Sequence, residues 1–61
     1  MKVFATNKKT HEIEVFPNVT EICESDENEF ILFYLKPKGE NVSAREMICF
    51  DKSLYRLEVF K

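Results

Sequence analysis

The sequence predicts an all-β fold: a small antiparallel meander of five to six strands curled into a barrel or two-layer roll. Three observations lead there. Val, Ile, Thr, Phe and Tyr supply 20 of 61 residues, whereas Ala occurs twice and Gln is absent, a balance that suits strands better than helices. Short alternating runs recur along the chain, separated by polar clusters and by Pro17, Pro37 and Gly39, which is the spacing of strands and turns. Phe30 to Leu35 is apolar without alternation, as expected of a central strand covered on both faces. A flat sheet of this length would leave one face of that strand wet, so the sheet is expected to curl.

Residues 2 to 6 and 12 to 16 read as a hairpin. Val3 and Ala5 alternate with Lys2, Phe4 and Thr6, and Ile13 and Val15 alternate with Glu12, Glu14 and Phe16. On that pattern Phe4 and Phe16 fall on the face opposite Val3, Ala5, Ile13 and Val15. Asn7 to Thr10 connects the two strands, and Pro17 stops the second. Residues 19 to 24 admit two readings. Val19, Ile22 and Cys23 have helical spacing behind a helix-start pair, Asn18 and Glu21. Six residues make a poor helix, however, and a short strand with a bulge is preferred.

Ser25 to Asn28 is a turn. Glu29, Lys36 and Pro37 flank the apolar run Phe30 to Leu35 in the manner of aggregation gatekeepers. Pro37 to Asn41 reads as a loop, Glu46 to Phe50 as a fifth strand, Asp51 to Ser53 as a turn and Tyr55 to Val59 as a sixth strand. Ser43 and Glu46 have capping-box spacing, which leaves room for one short helical turn over residues 43 to 48. Turn residues follow so soon that a strand is preferred there too.

A chain of 61 residues forms one small β domain, residues 1 to 61, and buries only about 60% of its unfolded surface. Two cysteines cannot build a disulfide scaffold, and Cys and His together are one short of the four ligands of a structural zinc site. No cofactor and no metal is expected. The longest apolar run has six residues, far from the roughly 18 to 20 that span a membrane. Met1 to Asn7 turns polar too early for a signal peptide. The expectation is a cytoplasmic protein, without membrane contact, whose Cys23 and Cys49 are thiols.

No catalytic constellation stands out. His11 is the lone histidine, beside a predicted turn, and both cysteines lie within apolar runs where a thiol is inert. One glycine cannot build a phosphate-binding loop. Acid–base work by paired carboxylates needs a pocket that so short a chain can hardly enclose. The chain is read as a non-enzyme.

Charge is the uneven feature. Residues 1 to 10 carry three lysines and no acid, whereas residues 11 to 29 carry seven acids and no Lys or Arg. The bland reading is a solvated face that keeps a small β protein dispersed. The sharper reading is an acidic binding patch for a protein with a basic surface, formed by Glu21, Glu24, Asp26, Glu27 and Glu29 with neighbouring apolar side chains, Phe4 and Phe16 among them. The function expected on this reading is a non-catalytic protein-binding module. A second reading is a small barrel that binds nucleic acid through Lys2, Lys8, Lys9, Lys36 and Lys38 and through exposed Phe4, Phe16 and Tyr34. The acidic pI of 5.3 and the presence of only two arginines weigh against it. A third is an assembly component acting as a homo-oligomer. In size and acidity the chain is similar to small proteins of phages and other mobile elements, some of which block host defence nucleases by binding them. That likeness implies a small regulator or inhibitor.

Overall fold

In a computed structural model describing all 61 residues, the chain forms six strands and no helix. They are β1 (Lys2–Asn7), β2 (Ile13–Phe16), β3 (Val19–Glu24), β4 (Glu29–Gly39), β5 (Val42–Asp51) and β6 (Tyr55–Phe60). They divide into two antiparallel three-stranded sheets. Sheet A has the order β2-β1-β6 and sheet B the order β3-β4-β5. The all-β expectation therefore holds, in its two-layer form. The meander is confined to β3-β4-β5, because β6 returns to pair with β1. The sheets do not close into a barrel.

Pro17 and Asn18 carry the chain from one layer to the other. The corner is stitched by backbone bonds: the Val19 amide donates to the Met1 carbonyl (2.9 Å) and the Leu35 amide to the Asn18 carbonyl (3.0 Å). At the opposite end, the Lys52 amide donates to the Asn28 carbonyl (3.0 Å) and the Lys8 amide to the Leu54 carbonyl (2.8 Å). These bonds gather the β1–β2, β3–β4 and β5–β6 turns at one end of the molecule.

The core lies between the sheets. Val3, Ala5 and Phe16 come from sheet A and Val19, Leu32 and Phe50 from sheet B, with Ile22, Phe30, Tyr34, Ile48, Tyr55 and Leu57 packed around them. Phe16 meets Tyr34 (centroids 5.1 Å apart) and Phe50 (5.8 Å), and Phe50 meets Tyr55 (4.7 Å). These tilted and edge-on geometries add about 0.5–1.5 kcal/mol each beyond simple burial. An aromatic chain of contacts thus substitutes for the larger aliphatic core that 61 residues cannot supply.

Phe16 corrects one expectation. In the β1–β2 register Val3 faces Phe16 and Phe4 faces Val15, so odd positions of β1 share a face with even positions of β2. Phe16 consequently points inward beside Val3, and Ile13 and Val15 point outward with Phe4. Burying the ring in place of the smaller Val15 side chain removes more apolar surface from water.

Two further corrections concern β4. The strand runs through Pro37 to Gly39, where a loop was expected, and only Glu40 and Asn41 form the turn. Pro37 is tolerated because β3 reaches only to Tyr34, leaving the far half of β4 paired on one side, and because the register shifts between Pro37 and Gly39. Asn41 takes the left-handed conformation (φ 59°) that closes the turn. The 11 residues of β4 span about 36 Å at ~3.3 Å per residue, which matches the 36 Å long axis of the molecule. The second correction is that β4 is not covered on both faces, and this creates the candidate site.

Candidate functional site

Side chains alternate across β4. Phe30, Leu32 and Tyr34 face the core. Ile31, Phe33 and Leu35 face away from sheet A, where no layer covers them. The register extends this outer surface onto both neighbours. Ile31 lies between Cys23 and Cys49, Phe33 between Glu21 and Met47, and Leu35 beside Arg45. The result is an apolar strip along the outer face of sheet B, with Met47 59% exposed and Leu35 42% exposed.

Arg45 partly roofs the strip. Its Cζ lies 4.9 Å from the centre of the Phe33 ring, and its Nη2 donates to Glu21 Oε2 at 3.4 Å. The Cys23 thiol donates to Glu21 Oε1 (3.5 Å). Partial desolvation, then the Glu21 carboxylate, push this thiol above its ordinary value, against the opposing pull of Arg45.

The strip is acidic at its head. Glu29 stands opposite Asp51 in the β4–β5 ladder, on the same outer face. Like charges directly opposite each other cost stability, and neither residue forms an ion pair. Asp51 is instead held by the Ser53 hydroxyl (2.6 Å) and amide (2.8 Å), which draw its carboxyl below the ordinary aspartate range. Asp26 and Glu27, exposed in the adjoining turn, are likewise without a cation.

The acidic segment expected from the sequence is thus divided. Glu21 is tied to Arg45, and Glu24 is tied to Lys52 (2.8 Å), whose Nζ also sits 5.1 Å from the Phe30 ring centre at the rim of the core. Asp26, Glu27 and Glu29 remain available, with Asp51 beside them. Phe4 lies on the outer face of sheet A, and Phe16 is inside, so the two are not part of one surface with the acids. Burial of Phe16 and the inward packing of Tyr34 also remove two of the three rings invoked for base stacking.

Ile31, Phe33, Leu35 and Met47 were missed as surface residues because uniform apolarity reads as burial. The overlooked signal was Glu46 to Phe50, where Glu46, Ile48 and Phe50 alternate with Met47 and Cys49. His11 is exposed in the β1–β2 turn, and no three His, Cys, Asp or Glu side chains gather as a metal site. No helix is long and apolar enough to cross a membrane. Compared with protein-family models, with curated proteins and with solved structures, the chain matches none.

Proposed function

We propose that this chain is a non-catalytic protein-binding module whose contact surface is the outer face of sheet B. One observation carries the reading: β4 is apolar on both faces, yet only one face has a covering layer. Contiguous exposed apolar surface rimmed by polar groups marks interaction sites. Met and aromatic side chains are enriched at such interfaces, and Phe33 and Met47 stand side by side at the middle of this one.

The acidic head of the strip supports a partner of basic charge. Asp26, Glu27 and Glu29 have no ion-pair partner within the chain, whereas Asp51 beside them is already satisfied by Ser53 and by the positive charge of Lys8, so a Lys or Arg of the partner would find three free carboxylates there. The partner is therefore a protein that offers apolar side chains beside a basic group. Acting by occupying a partner's surface, the chain is a small regulator or inhibitor.

The test is capture on the immobilised chain from a nuclease-treated extract of the cell that makes it or of that cell's host. The expected result is one dominant protein, lost when Phe33→Lys and Met47→Lys are combined and weakened by salt or by Asp26→Lys, Glu27→Lys and Glu29→Lys together. Equal retention by the Phe33/Met47 variant, with unchanged thermal unfolding, would remove the strip from the contact. Retention of nucleic acid alone, once nuclease is omitted, would replace this reading.

A further inference from the structure

Sheet A carries a second surface of opposite charge. On its outer face Phe4 lies between Val15 of β2 and Glu58 of β6, and the Phe4 and Phe60 rings pack 5.1 Å apart at 55°. With Met1 and Pro17 these rings line an open groove of about 500 Å³, flanked by Lys2 and Lys61. Ile13 and Val15 continue the apolar surface along the edge strand, 57% and 51% exposed. The remaining charged side chains of this face, Arg56 and Glu58, neutralise each other at 3.4 Å. The uncompensated side-chain charge at the groove is positive.

The groove is largely open to solvent, so it suits a side chain of a segment laid across it, not an enclosed small molecule. An aromatic side chain entering it would meet Phe4 and Phe60 in the tilted geometry rings prefer. Carboxylates on either side of that ring would fall to Lys2 and Lys61. The two phenylalanines pack on each other and do not stand apart as platforms for successive bases, which disfavours a nucleic-acid strand. We infer that the groove binds an extended segment of a partner protein in which an aromatic side chain is flanked by carboxylates. Together with the sheet B reading, on which this one consequence rests, the groove would let the chain bridge a basic and an acidic protein. The groove's binding does not depend on the sheet B reading.

The probe is a short capped peptide with one phenylalanine between two pairs of glutamates, titrated into the ¹⁵N-labelled full chain. The expected result is saturable amide shifts at Lys2, Phe4, Asn18, Phe60 and Lys61. Combining Lys2→Met and Lys61→Met should weaken the affinity about five- to tenfold, the effect of losing two exposed ion pairs. Replacing the glutamates of the peptide with lysines should abolish the shifts. Shifts of equal size with the basic peptide, shifts confined to sheet B, or none at millimolar peptide would overturn the proposal. So would tighter binding of an oligothymidylate than of the acidic peptide at the same amides.

Discussion

Arg45 spans two side chains of one face: its guanidinium lies 4.9 Å above the centre of the Phe33 ring while reaching across to the Glu21 carboxylate. The contact shields part of an otherwise uncovered ring. An exposed pair of this kind contributes about 0–1 kcal/mol. Arg45→Ala is expected to change the urea midpoint little while increasing the binding of an apolar dye, because Phe33 becomes more accessible. A large loss of stability would mean that Arg45 braces the sheet instead of covering the strip.

The two faces of β4 should differ sharply in cost. Leu32 is fully buried, so Leu32→Ala should destabilise by about 2–5 kcal/mol, which a domain this small can hardly withstand. Leu35→Ala, on the outer face of the same strand, should cost well under about 1 kcal/mol. Urea unfolding followed by circular dichroism separates them. Equal costs would mean that the outer face is covered.

Acid should weaken the fold. Ser53 holds Asp51 below its ordinary pKa, and Lys38, 2.9 Å from Glu46, does the same for that residue. Each carboxyl binds its proton less readily when folded than when unfolded. Their stabilisation is therefore present above the unfolded pKa and is lost as pH falls through the lower, folded one. The urea midpoint is expected to hold from neutrality to about pH 5 and to decline below about pH 4. Ser53→Ala should move the Asp51 carboxyl titration upward by NMR. An unchanged titration would show that Ser53 does not hold it.

The two thiols should be distinguishable. Cys23 is half-buried, and partial desolvation and Glu21 raise its pKa, whereas Cys49 is exposed. Iodoacetamide at mildly alkaline pH should alkylate Cys49 first by mass spectrometry. Glu21→Gln should speed the reaction at Cys23, by removing the carboxylate that holds the thiol proton. Faster reaction at Cys23 in the unaltered chain would contradict the geometry.

Much of the fold was legible in the residues. Alternation located β1, β2 and β6, and the strand preferred over a helix at residues 19 to 24 is present, with its register shift between Val19 and Glu21. Strand ends were less legible. Pro37 and Gly39 look like loop residues, and they lie in a strand because β4 outruns β3 there. The faces of Phe4 and Phe16 could not be read from β1 and β2 separately, since the pairing offset that decides them is set by the five-residue connection between the strands. The candidate site was half legible. The acids of the β3–β4 turn were singled out, but a fully apolar run gives no local sign of which half is covered, and the internal partners of Glu21 and Glu24 come from β5 and the β5–β6 turn.

The most direct measurement is site-specific photo-crosslinking from position 47 in the same nuclease-treated extract, with position 13 on the outer face of sheet A as an exposed control. A photoreactive phenylalanine at 47 is expected to join the chain to one dominant protein, and Phe33→Lys should abolish that product, which the control does not give. No product from position 47, or the same product from position 13, would contradict the assignment of the outer face of sheet B as the contact surface.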